Sequence, residues 1–112
     1  MRTDKRNSRI IDMSEIHSIP ITSASVASEI HHKNRDALPV WVVYNDNTTD
    51  FTGQFISRMF LTLAPPMFGV PSPTSFIITA LTINELRSRL PRSLVRIPRH
   101  PLDDPNILET WI

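Results

Sequence analysis

Pro39-Val40-Trp41-Val42-Val43-Tyr44 is a run of β-branched and aromatic residues behind a proline, and it decides the reading of the chain as sheet rather than bundle. A proline fits the first position of a strand, so the strand begins at Pro39. Asn45-Asp46-Asn47-Thr48-Thr49-Asp50 follows, side chains that hydrogen-bond their own backbone and favour turns, with Gly53 closing the loop. A second strand is expected from Gln54 to Leu63. Its period of two puts Phe55, Ser57, Met59, Leu61 and Leu63 on one face and Ile56, Arg58, Phe60 and Thr62 on the other. The two strands are expected to form a hairpin.

Downstream, Ala64 to Thr74 holds four prolines and a glycine in eleven residues, which reads as a long, partly stiff loop carrying Met67, Phe68 and Val70. Phe76 to Ala80 reads as a third strand. Thr82-Ile83-Asn84-Glu85 opens a helix with the pattern of a capping box, Ile83, Leu86 and Leu90 form one apolar stripe, and Pro91 stops it. Asn106 to Ile112 reads as a last strand, because Ile107, Leu108, Trp111 and Ile112 are too apolar for a free end. The expected fold is α+β: a small antiparallel sheet in the order β-β-β-α-β, one helix packed on one face, and a mobile N-terminal tail. One short helix covers one face only, so apolar residues of the other need the Pro-rich loop, the tail or a second copy of the sheet as cover.

Upstream, residues 1–38 contain no Phe, Tyr or Trp and are expected to form the tail, leaving 39–112 as the domain. Within the tail, Ser25 to His32 spaces Val26 and Ile30 as a short helix would, suited to docking on a partner or on the domain.

Composition removes several classes of function. With no Cys among 112 residues there is no disulfide framework, thiol nucleophile or zinc site of the Cys-containing kinds, and a reducing, cytoplasmic setting is the expectation. Two glycines cannot build a phosphate-cradling loop or a dinucleotide fingerprint, and no Gly-x-Ser-x-Gly elbow occurs. No run is long and apolar enough for a membrane helix. Net charge is +1, and from residue 39 onward Arg58, Arg87, Arg89, Arg92, Arg96 and Arg99 are matched by Asp46, Asp50, Glu85, Asp103, Asp104 and Glu109. The domain is formally neutral, so it lacks the broad basic footprint of a phosphate binder.

The remaining polar signals are local. Asp46 and Asp50 stand where a metal or acid-base pair is conceivable, but the positions that a calcium loop needs as Gly and Glu are Phe51 and Ser57, which leaves turn chemistry. His31 and His32 are adjacent, so on a helix or strand their rings diverge, and His17 and His100 have no ligand cluster near them. Asn47-Thr48-Thr49 matches a glycosylation acceptor with no secretory signal to go with it. Pro98-Arg99-His100-Pro101 has bare PxxP spacing with its basic neighbour, Arg96, misplaced. Arg87, Arg89, Arg92, Arg96 and Arg99 run without an acid between them and suit phosphate; the plainer reading is that Arg87 and Arg89 favour the helix C-terminal dipole while the others pair with Asp103, Asp104 or Glu109.

Trp41-Val-Val-Tyr44, Phe55-Ile-Ser-Arg58, Asn84-Glu-Leu-Arg87 with Leu90-Pro91, Asp103-Asp104-Pro105 and a Trp near the end together resemble small bacterial proteins with no assigned activity, over residues 39–112. The resemblance implies a bacterial domain-only core and transfers no catalytic residue. The functional expectation is a non-enzymatic protein-interaction module or small regulator, homodimeric or bound to another protein, without metal or cofactor. Trp41, Phe60, Phe68 and Trp111 are its contact candidates. The alternative is a nucleic-acid-binding regulator gripping phosphates with Arg87, Arg89, Arg92, Arg96 and Arg99.

Overall fold

Strand alternation and helix capping account for most of the fold. The computed structural model describes residues 18–63 and 69–112. In chain order these form β1 (Ile19–Pro20), α1 (Ala24–Lys33), a single 3-10 turn (Arg35–Ala37), β2 (Pro39–Tyr44), β3 (Phe55–Leu61), β4 (Ser72–Ala80), α2 (Ile83–Ser88), β5 (Arg96–Pro98) and β6 (Ile107–Trp111). The fold is α+β, as the sequence leads one to expect. The strands make one six-stranded sheet in the order β1-β4-β3-β2-β6-β5.

The expected hairpin is present, with β2 and β3 antiparallel from Pro39 opposite Leu61 to Tyr44 opposite Ile56. Its loop closes on Gly53, whose N–H reaches the Asp46 carbonyl at 2.8 Å and whose φ of 86° is open to glycine without strain. The register gives the sheet two distinct faces. Trp41, Val43, Ser57, Met59, Ile78 and Ala80 share one, which is buried under Leu86 and Leu90 from the α2 region and Ile21 and Ala27 from the α1 region. Val40, Val42, Tyr44, Ile56, Arg58, Phe60, Ile77 and Thr79 share the other, on which neither helix packs.

Several details differ from expectation. The sheet is mixed, because β1 runs parallel to β4, with Ile19 opposite Phe76 and Pro20 opposite Ile77. Packing begins well before residue 39: Ile21 and Ala27 are core residues, so the short helix expected around Ser25 to His32 is present and docks on the domain itself, and a strand not expected from the sequence precedes it. Low apolar content hid its place in the domain, because α1 buries one alanine completely and otherwise borrows its stability from the sheet. The first 17 residues of the expected tail lie outside the described residues. β4 starts at Ser72, inside the expected loop; Pro73 is tolerated there beside a register shift and away from the β1 pairing. β5 occupies part of the Pro- and Arg-rich connection, where its one proline is the last residue of the strand.

Both helices are capped at their N-termini. Thr82 Oγ1 accepts from Glu85 N–H at 3.1 Å, but the Glu85 carboxylate turns to Arg89 at 2.9 Å, so half of the capping box forms. Ser23 Oγ accepts from Val26 N–H at 3.2 Å and starts α1. Leu38, with φ of 52°, is the left-handed residue that turns the chain from the 3-10 turn into β2.

Candidate functional site

Two polar clusters fasten the helix-bearing face, and an apolar strip marks the helix-free one. Glu109 on β6 sits opposite Val43 and is 1% exposed. Arg87 of α2 forks onto it, Nε to Oε2 at 2.9 Å and Nη2 to Oε1 at 2.6 Å; Arg96 of β5 donates from Nε to Oε1 at 2.8 Å, and Trp111 Nε1 to Oε2 at 2.8 Å. Burial alone would raise this carboxyl, but the hydrogen bonds from Arg87, Arg96 and Trp111 outweigh it and hold the group at about 2. The same bond and charge raise the pKa of Arg87. A carboxylate this well satisfied ties α2, β5 and β6 together and has no capacity left for chemistry.

On the other side of the same face, Trp41 is wholly buried and its Nε1 donates to His31 Nδ1 of α1 at 3.0 Å. Burial, with His32 as a smaller contribution, lowers the pKa of His31, consistent with a neutral imidazole accepting at Nδ1.

On the helix-free face, pairing places Val95 opposite Ile112, since each donates to the other's carbonyl at 2.7 and 3.0 Å, and Ile97 opposite Thr110. Arg96 and Trp111 point to the Glu109 cluster, so the alternating Val95, Ile97 and Ile112 point the other way. They are 64%, 41% and 46% exposed, and β2 continues the same face with half-buried Val40 and Val42. Further across, Arg58 is buried between Val42 and Ile77. Its Nη1 donates to the Thr74 carbonyl at 2.7 Å and its Nη2 to Ser18 Oγ at 3.3 Å, while Nε has no partner and no ion pair forms among the described residues. Burial lowers the pKa of Arg58. Burial and Asp104 raise that of the adjacent Tyr44 phenol, against the pull of Arg58.

The contact candidates fall into different settings. Trp41 is core and not presented for contact; Trp111 is partly buried against the core on the helix-bearing face; Phe60 is half-buried on the helix-free face; Phe68 lies outside the described residues. Of the arginine run, Arg87 and Arg96 hold Glu109, and Arg89 bridges Glu85 and the Thr79 carbonyl. Arg92 and Arg99 are exposed, Arg99 reaching the Asp103 carbonyl at 3.0 Å. The Asn45–Gln54 loop is held by its own turns, Asn47 N–H to Asn45 Oδ1 and Thr52 Oγ1 to the Thr48 carbonyl. Around His100, its own N–H reaches Asp103 Oδ2, and its Nδ1 accepts from Leu102 N–H. Among the described residues no three His, Asp or Glu side chains gather as metal ligands, and no helix is long and apolar enough to cross a membrane.

Sequence reasoning missed the Val95–Ile97–Ile112 strip, because a three-residue strand ending in proline looks like a connection. It missed the His31–Trp41 bond because nothing in the spacing announces a contact between a helix and a strand ten residues on. Comparison of the chain with family models, curated proteins and solved structures gives no match.

Proposed function

We propose that this chain is a non-enzymatic interaction module that works through the helix-free face of its sheet, with a second copy of itself as the first partner to test. The observation that carries this reading is the exposed strip of Val95, Ile97 and Ile112, three β-branched side chains contiguous with Val40 and Val42. Isolated exposed apolar residues are ordinary, but neighbours on one face of an open sheet end form a patch of the kind that pairing covers. The strand beside the patch is short and its proline lacks an N–H, which limits indefinite edge-to-edge growth and favours a closed pair.

The nucleic-acid reading is the weaker one. Three of its five arginines are spent on Glu109 and Glu85, and a neutral domain offers little counterion release.

Light scattering coupled to size exclusion, with absorbance at two wavelengths to detect nucleic acid, tests the proposal. A dimer insensitive to salt and free of nucleic acid is expected, and Val95→Asp with Ile97→Asp is expected to give a folded monomer. A wild-type protein that stays monomeric at every concentration removes the self-pairing. A monomer at high salt that carries nucleic acid at low salt moves the assignment to the arginines.

A further inference from the structure

We propose that α1 is a pH-released latch, in which protonation of His31 breaks its bond to Trp41 and lifts the helix off the sheet. The geometry leaves few other ways to accommodate the proton. Trp41 Nε1 is a donor only and belongs to a wholly buried side chain, so its partner must accept. His31 Nδ1 does so at 3.0 Å, and an imidazolium at that position would set donor against donor.

The charged groups around the latch offer no compensation. On α1 itself, His32 Nε2 lies 2.9 Å from Arg35 Nη1, which makes that imidazole an acceptor too, and Lys33 pairs with Glu29 in solvent. On the strands of the helix-bearing face, Glu109 is the sole carboxylate among the described residues, and it is already occupied by Arg87, Arg96 and Trp111. In the α2 region, Arg89 pairs with Glu85, and Arg92 meets α1 through its backbone N–H to Ser28 Oγ at 3.1 Å. The 3-10 turn after α1 carries Asp36 beside Arg35, but burial and His32 are what act on His31, and no acid among the described residues forms an ion pair with it.

What else holds α1 is slight. Ala27 is its one fully buried side chain and Ile30 packs at the margin of the core. Loss of the only hydrogen bond that an α1 side chain accepts from a strand side chain among the described residues thus tips a lightly packed helix, while α2 stays clamped by the Glu109 cluster. The released helix uncovers Trp41 on the face opposite the Val95 strip, so the latch is independent of what binds that strip.

Amide exchange on the full chain, followed by NMR from about pH 8 to about pH 5, tests this, with β3 amides as internal reference. Because the released state binds one more proton, protection of α1 relative to β3 is expected to fall below about pH 6.5, at a limiting rate of about tenfold per pH unit. His31→Asn, which sets an amide oxygen where Nδ1 stood, is expected to flatten that dependence, and His32→Gln to keep it. Protection of α1 that is unchanged to about pH 5, or that falls together with β3, overturns the proposal. So does a His31→Asn protein that titrates like wild type. Should that variant not fold, the titration of the His31 ring must coincide with the loss of α1 protection in the wild-type chain, and a mismatch overturns it equally.

Discussion

The two helices lie on the same face of one sheet, yet they are fastened by opposite chemistries. α2 puts Leu86 into the core and is clamped by a buried carboxylate that takes four hydrogen bonds from Arg87, Arg96 and Trp111. α1 puts Ala27 into the core and is fastened by a neutral imidazole accepting from an indole. Trp41 and Trp111 face each other across β2 and β6, so the contrast lies in what each indole N–H meets rather than in where it sits. A carboxylate between two guanidiniums keeps its charge to strongly acid pH, whereas an imidazole gains one near neutrality. The sheet is therefore expected to open from the α1 side first.

The largest way to break this contrast is Glu109→Ala. It leaves the Trp111 indole and the part-exposed guanidiniums of Arg87 and Arg96 without their buried acceptor, and because both guanidiniums keep contact with solvent the cost is about 1.5 to 3 kcal/mol. For a domain of this size, that is a large part of total stability. Urea denaturation is expected to show a correspondingly lower midpoint with the slope retained. A loss below about 1 kcal/mol would mean that the cluster is no tighter than a surface pair.

The acid limb of the stability curve sharpens the same contrast. Glu109 is held at about 2 in the folded chain against an ordinary value of 4.5, so the folded state binds fewer protons. Its contribution is complete above about pH 4.5 and is lost as pH falls through that value towards about 2. His31 is also lowered, from an ordinary 6.5, so its contribution is complete above that value and declines as pH falls below it. The acid decline is expected in global thermal unfolding and the one near neutrality in α1 amide protection, and Glu109→Gln is expected to remove only the acid one.

How much of this was legible depends on how local each signal is. The β2–β3 hairpin, the α2 cap and the last strand are written in patterns a few residues long, and all are present in the fold. α1 was legible as a short helix suited to docking, but not its place, because a surface helix with one buried alanine has little apolar periodicity to assign it to the sheet. β1 and β5 contain two and three residues, too few for any alternation to register, and their identity as strands comes from the neighbour each pairs with. The Glu109 cluster joins Arg87, Arg96 and Trp111 across 25 positions, so the run of arginines looks like a basic patch until the fold brings its acid to it.

The smallest test compares the two caps. Ser23→Ala and Thr82→Ala each delete one side-chain acceptor for a backbone N–H at a helix start, a change worth about 1 kcal/mol to the helix concerned. The same local loss is expected to reach global stability unequally. α2 carries Leu86 and Arg87, so it cannot open without opening the core, and Thr82→Ala should lower the unfolding free energy by most of that amount. If α1 opens on its own, Ser23→Ala should raise α1 amide exchange about fivefold while barely moving the global midpoint, since a helix already open before the core melts contributes little to that transition. Equal shifts of the global midpoint in the two variants would show that both helices belong to one cooperative unit, and that the difference in how they are fastened has no consequence for how the molecule opens.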